Sequence, residues 1–138
     1  MTAGKVFLDT NVLVYAQDQD APKKRKRSRD LIAAVVASGT GVISTQVLQE
    51  FYVTATRKMG VAPLAAKTVV QSFRIFEVLQ ISPELIEQAI DRSVLSQLSF
   101  WDALIVSASA SSGCTTIYSE DFNAGQLIDG VRIVNPFV

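Results

Sequence analysis

Four carboxylates far apart in the chain, Asp9, Glu50, Asp102 and Asp121, each fall where a predicted element begins, ends or shows a polar edge. Three of them sit in short signatures: Phe7-Leu8-Asp9-Thr10-Asn11, Ser99-Phe100-Trp101-Asp102 and Tyr118-Ser119-Glu120-Asp121-Phe122. Carboxylates gathered into one site repel one another unless a cation lies between them, so a fold that collects these four points to a hard divalent metal. Singly, each has a plain structural alternative. Asp9 fits a helix cap or turn, Asp102 stands in capping-box spacing after Ser99, Asp121 fits a turn at a strand end, and Glu50 fits an edge acid reaching solvent. Asn11 is placed to cap a helix or to hydrogen-bond a metal-bound water, and Ser119 to hydrogen-bond a carboxylate or phosphate. Glu120 should point away from Asp121, so only one of that pair is a candidate.

Composition removes most other chemistry. The chain has no histidine, which excludes Ser-His-Asp and Cys-His triads and His-containing zinc sites. The single cysteine, Cys114, supplies neither an internal disulfide nor a thiolate cluster, and reads as a small buried hydrophobe in a reducing compartment.

The elements that must position these acids follow from periodicity. Lys5 to Leu8 is a short apolar run closing on Asp9, a buried strand, after which Asp9, Thr10 or Asn11 caps a short helix through Tyr15. Pro22 opens a second helix that stops at Gly39. Gly41 to Ser44 is a second strand, and Ser44 or Thr45 caps a third helix ended by Gly60. On that helix Glu50 lies at the margin of the arc formed by Val47, Leu48, Phe51, Ala55 and Met59. Pro63 opens a fourth helix reaching Phe76, Glu77 to Ile81 is a third strand, and Ser82-Pro83 starts a fifth helix. Ser99 caps a sixth, running to Gly113, with Trp101 expected in the core or as a wall. Thr115 to Tyr118 and Val131 to Val134 complete the set of five strands. Strands alternating with helices predict an α/β domain with a mostly parallel sheet, whose ligands bind beyond the carboxyl ends of the strands at the topological switch point. Asp9 and Asp121 both follow strands directly.

At 138 residues and 49% hydrophobic, the chain is expected to form one domain, residues 1–138, with its own core. The longest apolar run, Leu31 to Ala37, falls short of the ~18 residues of a membrane span. The N-terminal stretch has no basic region typical of a secretory signal, so a soluble cytoplasmic domain with no membrane partner is expected. Net charge is zero, yet Lys23, Lys24, Arg25, Lys26, Arg27 and Arg29 hold six of thirteen basic groups. That run fits either an edge that steers a polyanion such as RNA or a solvated, poorly ordered helix start.

Together these signatures resemble the PIN-domain family, and within it the VapC-type toxins of bacterial toxin–antitoxin pairs. Phe7 to Tyr15 resembles the first motif of the family, Ser44-Thr45 through Gln49-Glu50-Phe51 the second, and Ser99 to Ile105 the third. Tyr118 to Phe122, with Gly125, Gly130 and Ile133 to Phe137, resembles the C-terminal signature. The resemblance spans nearly the whole chain. It implies a three-layer α/β/α sandwich around a central, mostly parallel five-stranded sheet, and an Mg²⁺- or Mn²⁺-dependent endoribonuclease. Carried over by position, Asp9, Glu50, Asp102 and Asp121 form the acidic metal cluster, with Asn11 and Ser119 in support. Ser119 stands where many relatives have threonine, which keeps the hydroxyl. The family also implies a homodimer and a cognate antitoxin whose tail reaches the acidic cleft. The basic run at Lys23 to Arg29 is outside the signature.

In this reading the reaction is attack of a metal-activated water on an RNA phosphodiester. Mg²⁺ keeps several waters, so a few carboxylates suffice to hold it, and the ion both acidifies a water and neutralises phosphate charge. Two alternatives belong to other classes. A non-catalytic nucleic-acid-binding domain of the same fold would tolerate loss of an acid, whereas all four are present. An aspartyl-phosphate phosphatase would want a second Asp two residues after Asp9, where this chain has Asn11.

Overall fold

The computed structural model describes residues 4–138; the first three residues of the stretch read above for a secretory signal lie outside it. The order is β1 (Lys5–Leu8), α1 (Thr10–Tyr15), α2 (Pro22–Ser38), β2 (Gly41–Ser44), α3 (Thr45–Arg57), α4 (Pro63–Ser72) with a 3-10 turn at Phe73–Ile75, and β3 (Glu77–Leu79). Then follow α5 (Pro83–Ser96), α6 (Phe100–Ser111), β4 (Cys114–Tyr118), β5 (Leu127–Ile128) and β6 (Val131–Val134). The strands form one sheet in the order β3-β2-β1-β4-β6-β5.

The five strands expected from sequence are all present and pair in parallel. A sixth, β5, pairs antiparallel with β6, so the five-stranded expectation is corrected to six. Its cause is local: Asp129 and Gly130 take φ of 49° and 82°, and two residues with positive φ make a tight hairpin whose twist suits the flanking strands. The third strand ends at Leu79, short of the expected Ile81.

Both faces of the sheet are covered. Phe7 and Leu8 are adjacent on β1 and project to opposite faces, yet both are fully buried, as are Val42 and Ile43 on β2. Only a sheet with helices on each side buries consecutive residues in this way. The chain runs outward from β1 to β2 and β3, then returns past β1 to β4. Right-handed crossovers in these two directions place their helices on opposite faces, which makes the three layers.

Local chemistry sets the joints. Gly39 takes φ 68° at the end of α2, the left-handed conformation glycine adopts without a Cβ clash. Two residues on, Gly41 opens β2 where a Cβ would stand 2.6 Å from both Phe76 Cδ1 and Val35 Cγ1. Phe51 and Phe73 meet edge to face with centroids 4.9 Å apart, linking α3 to the turn after α4. Cys114 is buried at the start of β4, and burial pushes its thiol up to about 12, as expected of an inert core residue.

The basic run is helix, forming the first turns of α2. Arg29 Nε donates to Ala16 O at 2.7 Å, Arg27 Nε to Pro136 O at 2.8 Å, and Lys26 pairs with Asp30. Trp101 departs from expectation: its side chain is 61% exposed, resting edge-on against Phe100. Among the described residues, no helix is long and apolar enough to cross a membrane.

Candidate active site

Strands β1 and β4 are neighbours in the sheet, although most of the chain lies between them, and β2 and β6 lie on their outer sides. This is the switch point, where successive crossovers leave in opposite directions and open a crevice at the carboxyl edge. Leu8 stands opposite Tyr118 in the parallel ladder. The next residues on each strand, Asp9 and Ser119, therefore emerge side by side.

Asp9 does two jobs. It is the N-cap of α1, with extended backbone and Oδ1 accepting from Thr10 N at 2.8 Å, and its own amide continues the ladder to Tyr118 O. Its second oxygen, Oδ2, accepts from Ser119 Oγ at 2.7 Å. Ser119 is fully buried, and its oxygen also accepts from Asn11 Nδ2 and from Asp121 N, each at 3.1 Å. Asn11 Nδ2 reaches Asp121 Oδ2 at 3.1 Å as well. Asp9, Asn11, Ser119 and Asp121 thus form one hydrogen-bonded cluster across the switch point.

The remaining two acids approach from the helices. Glu50 comes from the polar margin of α3 and accepts from Thr10 Oγ1 at 2.8 Å through Oε1. Asp102 lies in the first turn of α6, where Ser99 caps the helix by accepting from Asp102 N at 3.1 Å. Its structural role as part of a capped helix start and its place near the cluster are compatible.

Among the described residues, no hydrogen bond joins Asp102 to the cluster, and its link to the other acids is through their charge. Burial pushes the Asp9 carboxyl up to about 7, opposed by the Ser119 hydroxyl and the Thr10 amide and reinforced by the charges of Asp121 and Glu50. Burial also raises Asp102, with Ser99 opposing and Asp121 adding to the shift. These shifts are the mark of carboxylates sharing a poorly solvated site without enough positive charge. As the side chains stand, no three acids among the described residues converge within ligand distance of a single point. The donors are nonetheless all hard oxygens, two of them on carboxylates with raised proton affinity. Mg²⁺ requires only one or two protein carboxylates and completes its shell with water, so the residues present fit such an ion.

A cleft of about 780 Å³ opens over this cluster, lined among others by Thr10, Asn11, Tyr15, Glu50, Lys58 and Asp121. Asp9 is only 6% exposed and lies beneath the lining residues Thr10 and Asn11, outside the cleft lining itself.

Three neighbours, Thr10, Tyr15 and Lys24, were not legible as site residues. Thr10 fixes Glu50. Glu120 points away from the cluster, as expected, and accepts from Tyr15 Oη and Lys24 Nζ instead. Thr10 carried a weak signal, being the residue after Asp9 in a signature with two other polar groups. Tyr15 and Lys24 carried none, because their roles depend on where α2 docks.

The PIN domain family profile matches residues 6–127. Among solved structures, VapC20 from Mycobacterium tuberculosis, a sarcin-ricin loop cleaving toxin, is similar with a TM-score of 0.71 and 22% identity, covering 85% of this chain and 90% of that one. A toxin–antitoxin complex from Klebsiella pneumoniae is similar with a TM-score of 0.71 and 18% identity, over 96% of this chain and 98% of that one. DNA-bound VapBC from Salmonella typhimurium matches with a TM-score of 0.67 and 22% identity, over 95% and 97% of the two chains. No curated protein sequence matches. With a profile match that runs from β1 to β5 and includes every acid of the cluster, the chain belongs to the PIN domain family.

Proposed function

We propose that the chain is a divalent-metal-dependent endoribonuclease of the VapC type, the toxin of a toxin–antitoxin pair. The observation that carries this reading is the buried Asp9 carboxylate, joined through Ser119 and Asn11 to Asp121 at the switch point of the sheet. Family membership and the likeness to VapC structures support it.

Asp9, Asp102 and Asp121 would hold the ion, with Glu50 as a further ligand or as a base. When bound, Mg²⁺ or Mn²⁺ supplies charge neutralisation at the scissile phosphate and acidifies an attacking water. The chain's own residues set the stage. Ser119 and the Thr10 amide fix the two oxygens of Asp9, Asn11 fixes Asp121, and Thr10 holds Glu50 at the edge of the cleft. Of the cleft-lining side chains among the described residues, Lys58 is the one cation, against Asp18, Asp20, Glu50 and Asp121. A phosphodiester entering such a cleft meets net repulsion until a cation is bound, which couples substrate entry to metal. With no histidine in the chain, proton transfer falls to carboxylates and water. Hydrolysis leaving a 5′-phosphate is the expected outcome.

The partners of this reading are an RNA substrate, a second copy of the chain in a homodimer, and a cognate antitoxin protein. The test is RNA cleavage by purified chain with Mg²⁺ or Mn²⁺, against Asp9→Asn and Asp102→Asn. Cleavage by either variant at the wild-type rate would sink the assignment. RNA binding without cleavage at saturating metal would favour a non-catalytic nucleic-acid-binding domain.

A further inference from the structure

Glu120 lies between Ser119 and Asp121, two members of the acidic cluster, yet its carboxylate is engaged elsewhere. It accepts from Tyr15 Oη at 2.5 Å and from Lys24 Nζ at 2.9 Å. Lys24 Nζ also donates to Tyr15 Oη at 3.3 Å, and stands 4.7 Å from the Tyr15 ring centroid and 5.6 Å from that of Phe137. The two rings pack edge to face at 5.0 Å. One ammonium therefore joins the end of α1, the first turn of α2, the C-terminal segment and the turn that carries Asp121.

The backbone of that turn is held by Ser119 N donating to Val134 O at 3.0 Å, Asp121 N to Ser119 Oγ at 3.1 Å and Glu120 N to Asn11 Oδ1 at 3.4 Å, which leaves the two acidic side chains to be placed. Asp121 is exposed on irregular backbone, and its side chain has one hydrogen bond, from Asn11. On either side of Asp121, Glu120 is tied to Lys24 and Phe122 is buried. An isolated surface ion pair contributes little. Here the same cation is shared by a carboxylate, a phenol and two ring faces, which restricts Glu120 far more than one pair does. Adjacent residues of the turn thus face different partners, Glu120 the α2 ammonium and Asp121 the Asn11 amide. The Lys24 charge also neutralises a fifth carboxylate one residue from the cluster.

We propose that Lys24 and Glu120 are positioning residues that clamp the Ser119 to Asp121 turn against α2 and so aim Asp121 at the metal cluster. This rests on the metal-dependent nuclease reading of the site, and it gives the start of the basic run a role within the fold rather than on RNA. Neither residue touches the reacting atoms.

The experiment compares Lys24→Met, Glu120→Gln and Lys24→Arg in the full chain. It uses hydrogen–deuterium exchange over residues 119–123 without metal, Mn²⁺ titration calorimetry, and steady-state cleavage of an unstructured RNA oligonucleotide. Lys24→Met and Glu120→Gln are expected to raise exchange in that turn. They should also weaken Mn²⁺ binding and lower kcat by about 10-fold, the usual scale for residues that orient metal ligands, with KM little changed. Lys24→Arg, which keeps the charge, should restore all three. Unchanged exchange in both uncharged-pair variants overturns the clamp, and so does a loss confined to KM, which would make Lys24 an RNA contact. Should Lys24→Met not fold, Glu120→Gln, of the same shape, decides alone. A wild-type chain without metal-dependent cleavage overturns the nuclease reading, while the exchange result still decides the clamp.

Discussion

The Ser119 hydroxyl donates to Asp9 Oδ2 at 2.7 Å across a separation of 110 residues. It is also saturated: its proton goes to Asp9, and its oxygen accepts from Asn11 Nδ2 and Asp121 N. One buried hydroxyl thereby sets the distance between the acid that ends β1 and the turn that leaves β4.

Ser119→Ala is expected to leave a carboxylate oxygen and two donors without their partner, at a cost of about 1–3 kcal/mol. Urea denaturation at pH 7 measures it, and RNA cleavage should fall in parallel. Ser119→Thr keeps the hydroxyl and is expected to keep activity. Equal stability of the alanine variant and wild type would mean that water replaces the hydroxyl at no cost.

Asp9 makes stability depend on pH in a stated direction. Its carboxyl sits at about 7 in the folded chain, against 3.8 for an ordinary aspartate. The folded state then holds the proton more tightly than the unfolded state. The group imposes no cost below about pH 4, destabilises progressively between pH 4 and 7, and reaches its full effect above pH 7. The shift sets an upper bound on the order of 4 kcal/mol. In metal-free buffer Asp9→Asn should be more stable than wild type at pH 8, with the gap closing towards pH 4. Denaturation curves at pH 4, 6 and 8 check this, and a gap that ignores pH would show that Asp9 titrates alike in both states.

Metal should reverse that penalty. An ion that binds only the folded chain stabilises it by about 2.7 kcal/mol at a hundredfold excess over its Kd. Mg²⁺ or Mn²⁺ should therefore raise the melting temperature of the wild-type chain, and EDTA should abolish both this shift and RNA cleavage. Asp102→Asn and Asp121→Asn should each shrink the shift, as read by differential scanning calorimetry. A wild-type melting temperature indifferent to both ions would remove the metal from the proposal.

Gly41→Ala tests packing away from the site. The added Cβ would stand 2.6 Å from Phe76 and Val35 carbons at the start of β2. Overpacking of this kind costs about 1–3 kcal/mol. Thermal melts should show the loss while metal binding survives, because β2 contributes no acid to the cluster.

The parallel part of the fold was legible because its signals are local. Short apolar runs closing on Asp9, Ser44 and Ser119 mark buried strands, and Pro22, Pro63, Pro83 and Ser99 mark helix starts that the structure reproduces. The hairpin was missed although Asp129-Gly130 between Ile128 and Val131 is a turn signal, because two residues are too few to show a period. Trp101 was misplaced because an aromatic beside a capping box reads as core, whereas α6 buries its next turns, from Ala103 onward, and leaves the indole outside. For the site, the sequence nominated Asp9, Asn11, Ser119 and Asp121, and strand adjacency joins them. The tie of Glu50 to Thr10, and that of Lys24 to Glu120, depend on how α3 and α2 dock, which no local pattern encodes.

The neighbouring placement of β1 and β4 has a consequence for a nascent chain. A ribosome adding about 5–20 residues per second needs on the order of ten seconds to travel from Asp9 to Ser119. Throughout that interval the first acid has been synthesised and its partner has not. Translation stopped before β4 yields a polypeptide with Asp9, Glu50 and Asp102 and no site. A chain that attacks RNA would thus acquire its activity only once β4 has been made, as a single event.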